Sequence, residues 1–391
     1  MKIIIQGGDA YTQSGLVHDA TVLVEGAHIA AVGHQVKFSS TDPVDLVLDA
    51  HGGIIAPGFI DLQINGAGGR FLTEDPSVET VVEMARIAAR FGCTAFLPTV
   101  ITSPIEMMLS AVRAVDKARK QVITGAQVLG SHLEGPFINP DMSGIHDSAF
   151  IRSPSLDDLN TFWAESGGSI KLMTLAPEVA GAEELMRAAK RYGITLAVGH
   201  TDADYLEMME AAESGATMAT HLFNAMSGLK ARQPGATGTV LASTRFKASI
   251  IADGYHIHPA MLNLALRSKG SEDLVLITDA MAPVGTDLKE FSIYDEIATV
   301  HDGACFMPDG TLAGSVLTMN QAVRNIRDLT DIPLEEALRM ATANPAAVIN
   351  EDNFRGTLEV GKAADIVIMD HDLNVTTTMV AGKIVYESGI D

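Results

Sequence analysis

Residues 274–283, LVLITDAMAP, read as a buried strand that finishes on a carboxylate, Asp279. Three other segments share the design: VLGSHLEGPF (128–137) with Glu134, LAVGHT (196–201) with His200, and MATHLFN (218–224) with His221. In each, an apolar run ends on a polar residue that can bind a metal ion or move a proton. Strands with no polar alternation have no solvent face, so they belong to a sheet covered on both sides. One carboxylate and two imidazoles can hold a divalent ion with a position left open, and a further Asp can take a proton from water.

The flanking sequence repeats the pattern. Eight candidate strands are GIIAPGFIDLQIN, TAFLPTV, AQVLGSHLEG, IKLMTLAPE, ITLAVGHT, TMATHLFN, FKASIIADGYH and DLVLITDAMAP. Helical periodicity separates most of them, as in SVETVVEMARIAARFG (77–92) and AGAEELMRAAKRYG (180–193), each closed by a glycine. Eight such units over 54–353 predict an α/β fold, a (β/α)8 TIM barrel with its site at the C-terminal strand ends. A doubly wound open sheet is the competing architecture, but no GxGxxG follows a first strand.

Both ends of the chain differ from this middle. Residues 1–53 and 354–391 hold short β-rich runs such as KIIIQGGDAYT, ATVLVEGAHIAAVG and ADIVIMD. They predict one small β-sandwich domain built from both termini, with Gly7-Gly8 and Glu25-Gly26 at hairpin turns. Two separate hairpins packed on the core are the alternative.

Bulk properties narrow the function. Hydrophobic residues make up 47% and charged residues 19% of the 391, which describes a globular chain. The net charge of −22 argues against nucleic-acid binding, which calls for a basic stripe. No apolar run reaches the ~20 residues of a membrane span, and MKIIIQGGDA is too short in its apolar part for a secretory signal. The expected location is cytoplasmic. Cys93 and Cys305 offer neither a disulfide framework nor a CxxC pair.

The site can be read residue by residue. Glu134, His200 and His221 are candidate metal ligands, and Asp279 a candidate general base and acid. FIDLQIN places Gln63 and Asn65 where a His-x-His pair would bind a second ion. Amide oxygens are weaker ligands than imidazole, so one divalent metal per chain is expected, Zn2+ first among Fe2+, Mn2+ and Co2+. Lys171 stands at the start of its strand, badly placed to bridge two metals. After His221, backbone groups at Asn224 and Ala225 could donate to an anion as a helix starts, and Arg232 offers a planar fork for phosphate oxygens.

Several motifs together carry a resemblance. PGFIDLQINGAGG, HLEGPFINPDMSGIHD, LAPE, VGHTDADY, THLFNAMSGLKARQPGATG, ADGYHIHP, ITDAMAP and GTLAGSVLTMNQAV run in order from about residue 50 to 350. The chain resembles the N-acetylglucosamine-6-phosphate deacetylase family of the amidohydrolase superfamily. The resemblance implies hydrolysis of a 2-acetamido group to give glucosamine 6-phosphate and acetate. It implies metal ligation by Glu134, His200 and His221, acid–base work by Asp279, and polarisation of the acetamide carbonyl by His146. It places substrate contacts at Ile145 (through its backbone), Asn224, Ala225, Arg232, His256, Leu312, Ala313 and Gly314, with no role for His258 beyond structure. It also implies a homodimer in which Arg232 reaches across the interface. N-acetylgalactosamine 6-phosphate stays open as an alternative substrate. A catalytically silent metal-binding scaffold would be expected to have lost a ligand or Asp279.

Overall fold

In a computed structural model of the chain, which describes residues 1–34, 36, 43–121 and 124–389, eight strands form one parallel sheet. They are β1 (Phe59–Ile64), β2 (Cys93–Ile101), β3 (Ser131–Glu134), β4 (Ile170–Leu175), β5 (Thr195–Val198), β6 (Ala216–Ala219), β7 (Lys247–Ile251) and β8 (Leu274–Ile277). Neighbours pair in sequence order. The ring is completed between β8 and β1, where Asp279 N donates to Gln63 O at 3.0 Å and Asn65 N to Ala280 O at 2.9 Å. The fold is therefore a (β/α)8 barrel. Its strands are almost wholly buried, and the largely apolar β2 and β8 are buried along their whole length, because side chains fill the interior while helices cover the outside.

The helices begin and end where the sequence chemistry places them. Ser77 caps Val78–Arg90 by accepting from Thr80 N, and Asp204 with Glu207 forms a capping box on Tyr205–Ser214. Helix Ala182–Arg191 gives way at Gly193, whose φ of 76° stops the helical path.

The two ends of the chain share a second, eight-stranded sheet. Ile54–Pro57 lies antiparallel to Ile366–Met369, which stitches the N-terminal strands to the C-terminal ones. This first segment thus runs on through Pro57, and the barrel starts at Phe59. Residues 35, 37–42 and 390–391 of the terminal spans lie outside the described residues. Gly7-Gly8 is not a hairpin turn. It sits inside strand Lys2–Thr12 at a register shift, where the strand leaves partner Leu46–Asp49 and takes up Ile54–Pro57. A kink is what the glycines supply there: Gly7 has φ 72°, and a Cβ would meet Asp49 Oδ1 at 2.7 Å. Ile3, Ile5, Val22, Val24, Ile55, Ile366 and Ile368 form an apolar cluster of this sheet, separate from that of the barrel.

Two further features differ from the sequence expectation. The segment read as one strand, 126–135, is split into Gln127–Val128 and β3 at Gly130. Beyond β8 the chain also builds an antiparallel insert of four strands, Glu290–Ile293, Glu296–His301, Ala304–Phe306 and Leu312–Ser315. Its signal was present in the alternation of Phe291 and Ile293 with exposed neighbours and in the Asp302-Gly303 turn.

Candidate active site

Glu134 is the last residue of β3, but His200, His221 and Asp279 are not strand residues. Each lies two positions beyond its strand, after a single spacer: Gly199, Thr220 or Thr278. Each also adopts a left-handed backbone, with φ of 50°, 33° and 52° respectively. For a residue with a Cβ this conformation costs roughly 1–2 kcal/mol. Its repetition on three strands turns the side chains inward to a common point, and such strain clusters at functional sites.

Three ligand atoms converge there. Glu134 Oε1 is 3.3 Å from His200 Nε2 and 2.9 Å from His221 Nε2, and the two nitrogens are 3.2 Å apart. A tetrahedron with metal–ligand bonds of ~2.0–2.1 Å has edges of ~3.3 Å, so these spacings match the edges around one zinc-sized ion. His200 Nδ1 donates to Met142 O at 2.9 Å, which leaves the Nε2 lone pair free for an ion. The three residues form the one such cluster among the described residues. Burial would raise the Glu134 pKa, but His200 and His221, when protonated at Nε2 with no ion between them, bring it well below the usual carboxylate range through hydrogen bonds and charge.

Gln63 and Asn65 act as donors. Gln63 Nε2 lies 3.0 Å from both Glu134 Oε1 and Asp279 Oδ1, and Asn65 Nδ2 lies 2.7 Å from Asp279 Oδ1. An amide turned the other way would set its oxygen against a carboxylate, so the NH2 groups must face inward. That orientation leaves these two residues as braces between Glu134 and Asp279 and supplies no second metal seat. Burial first, and then the charge of Glu134, raises the Asp279 pKa, which suits a group that must hold and release a proton.

His146 is buried 4.0 Å from Glu134 Oε2, and burial with the neighbouring His200 lowers its pKa to about 3, so the ring is neutral. His256 Nδ1 is 2.6 Å from Asp253 Oδ2, which orients the ring. A cavity of about 320 Å3 is lined by Glu134, Ile145, His146, His200, His221, Asn224, Ala225, His256, Asp279, Leu312 and Gly314. Asn65 also lines it, as do Asp141, Met142 and Thr311, which were not foreseen. Ile145 turns its side chain into the apolar cluster of the insert. Ala313 is buried behind the wall, and Arg232 is exposed on the loop after β6, outside the cavity. His258 caps helix Pro259–Lys269, and Lys171 pairs with Glu351 at 2.9 Å.

Sequence reasoning missed His132. It is fully buried in the barrel, its Nδ1 3.1 Å from Leu62 O and its Nε2 2.7 Å from Thr174 Oγ1. Its place two residues before Glu134 on the same strand face was the available signal.

A closed parallel barrel with a Glu-His-His cluster that could hold a metal ion, and an Asp beside it at the C-terminal strand ends, defines a barrel hydrolase. The model of the Amidohydrolase family matches residues 54–385, and the chain belongs to that family. It is 38% identical to the N-acetylglucosamine-6-phosphate deacetylase of Bacillus subtilis (strain 168), covering 86% of this chain and 85% of that protein. It is 36% identical to the N-acetylgalactosamine-6-phosphate deacetylase of Shewanella sp. (strain ANA-3), covering 99% and 96%. Among solved structures, N-acetylglucosamine-6-phosphate deacetylase from Pasteurella multocida superposes with a TM-score of 0.93 at 34% identity, covering 98% of this chain and 99% of that one.

Proposed function

We propose that this protein hydrolyses the 2-acetamido group of N-acetyl-D-glucosamine 6-phosphate, giving D-glucosamine 6-phosphate and acetate. The observation that carries the reading is the convergence of Glu134, His200, His221 and Asp279 on one cavity, beside His146. Glu134, His200 and His221 would hold one divalent ion. Two imidazoles and a carboxylate favour Zn2+, with Fe2+, Mn2+ or Co2+ compatible. Such an ion, when bound, lowers the pKa of water and polarises a carbonyl.

The remaining chemistry belongs to the side chains. Asp279 takes a proton from the attacking water as its oxygen bonds to the acetamide carbon. His146 donates a hydrogen bond to the carbonyl oxygen as negative charge develops there. Asp279 then gives its proton to the amine nitrogen as the C–N bond breaks, so acetate leaves and the base is regenerated. Gln63 and Asn65 hold Asp279 in line throughout.

A phosphorylated substrate needs positive charge, yet no Lys or Arg lines the cavity among the described residues. Arg232 is exposed and makes no ion pair among the described residues. A homodimer in which Arg232 of one copy reaches the cavity mouth of the other would supply the missing cation. No helix is long and apolar enough to cross a membrane. A sugar phosphate does not cross one unaided, which supports a cytoplasmic location.

The Shewanella relative, matched along nearly the whole chain, favours a second reading: the galacto-configured sugar phosphate. Acetate release from both sugars, with metal counted in the same sample, tests the two together. Faster turnover of the gluco sugar with about one ion per chain is expected. A galacto preference would install the second reading, and no release from either sugar would overturn both.

A further inference from the structure

We propose that Thr102 is a positioning residue that holds His146 in the tautomer with its proton on Nε2, with Tyr294 of the insert holding Thr102 in turn. The inference rests on His146 being the donor to the acetamide oxygen.

Thr102 follows the last residue of β2 and is fully buried. Its backbone N–H lies 3.3 Å from His146 Nδ1, and its hydroxyl lies 2.8 Å from the same nitrogen. A backbone N–H can only donate, so Nδ1 must present its lone pair. A neutral imidazole carries one ring proton, which therefore sits on Nε2, the nitrogen that faces Glu134 across 4.0 Å. The hydroxyl's one proton can go to Nδ1 at 2.8 Å or to Glu134 O at 3.5 Å, and the shorter contact favours Nδ1, a bond of the same sense as the amide's. The opposite tautomer would set N–H against N–H at Thr102 and turn a lone pair toward a developing oxyanion, where it repels.

Tyr294 fixes the clamp from outside the barrel. Its phenol donates to Thr102 O, and its own backbone N–H donates to Glu74 Oε1 at 2.6 Å. It holds a left-handed backbone (φ 52°) at the end of the insert's first strand. The insert that supplies Leu312 and Gly314 to the cavity is thus tied at its other end to the residue that orients His146.

The test uses the zinc-loaded enzyme and its Thr102→Val, Thr102→Ser, Tyr294→Phe and His146→Gln variants. Valine keeps the amide and the side-chain shape but removes the hydroxyl. For Thr102→Val, kcat is expected to fall about tenfold, the size of one hydrogen bond, with KM within about twofold. Serine should restore kcat to within about twofold of the native enzyme, and Tyr294→Phe should lower it about threefold. Ring 15N NMR on histidine-labelled protein, with the His146 signal identified by its loss in His146→Gln, should find the proton on Nε2 in the native enzyme. Thr102→Val, whose backbone N–H still donates to Nδ1, should keep the proton on Nε2 but shift the Nδ1 resonance as the bond from the hydroxyl is lost. A native signal with the proton on Nδ1, a Thr102→Val enzyme at native kcat, or equal losses in the valine and serine variants would each overturn the proposal. A His146→Gln enzyme at native kcat would instead overturn the role of His146 itself, which the tautomer signal does not depend on.

Discussion

Replacing Asp279 by Asn should abolish most turnover while leaving the fold and the metal seat intact, and the structure sets the size of each effect. Asp279 Oδ1 accepts from Gln63 Nε2 and Asn65 Nδ2. An Asn can place its carbonyl oxygen at the same point, so both donors keep their partner. The backbone there has φ 52°, a conformation that Asn tolerates better than most residues. Burial and the nearby Glu134 both raise the pKa of this carboxyl, so the charge that Asn removes is one the surrounding protein disfavours. The NH2 group cannot take a proton from water. Loss of a general base is worth about 10²–10⁴ in rate, or roughly 3–5 kcal/mol of barrier. The assay is the initial rate of acetate release at saturating N-acetylglucosamine 6-phosphate, with metal per chain and thermal unfolding measured on the same preparation. We expect kcat to fall by at least about 100-fold, with native metal content and an equal or higher Tm. A kcat within threefold of the native enzyme, with metal and Tm unchanged, would refute Asp279 as the proton carrier.

Glu134→Gln keeps the shape of the site but removes the one anionic ligand. Metal per chain after dialysis should fall far below that of the native protein, with activity falling in parallel, and full retention would count against the ligand set. Gln63→Leu removes the donor between Glu134 and Asp279. One charge-assisted hydrogen bond is worth about 1.5–3 kcal/mol, so kcat should drop about 10- to 100-fold, and an unchanged kcat would show that the brace is dispensable. Arg355 is buried, pairs with Asp365 at 2.7 Å and reaches Gln127 at 2.9 Å. Arg355→Ala strands a buried carboxylate and should cost about 3–5 kcal/mol. Denaturant unfolding checks this, and a loss under about 1 kcal/mol would place the pair among the weak ones.

Much of the site was legible because its signals are local. Glu134, His200, His221 and Asp279 each end an apolar run, and the run itself announces a covered strand. Gln63 and Asn65, as amides, stand where a second pair of imidazole ligands would be needed. Other features left faint signals that were overlooked: the alternation at Phe291 and Ile293 for the insert, and the position of His132 two residues before Glu134.

The sequence by itself determined the order of strands and helices, the ligand types and the kind of chemistry, since these follow from periodicity and side-chain identity within a few residues. Only the tertiary structure decided how the parts meet. It set the left-handed turns that bring His200, His221 and Asp279 inward, and the inward-facing amides of Gln63 and Asn65. It also clamped Thr102 on His146, 44 residues apart, and left Arg232 outside its own cavity. A tautomer, an amide's orientation and a side chain's direction depend on partners that closing the barrel brings together from distant parts of the chain, and no short window of sequence contains both members of such a pair.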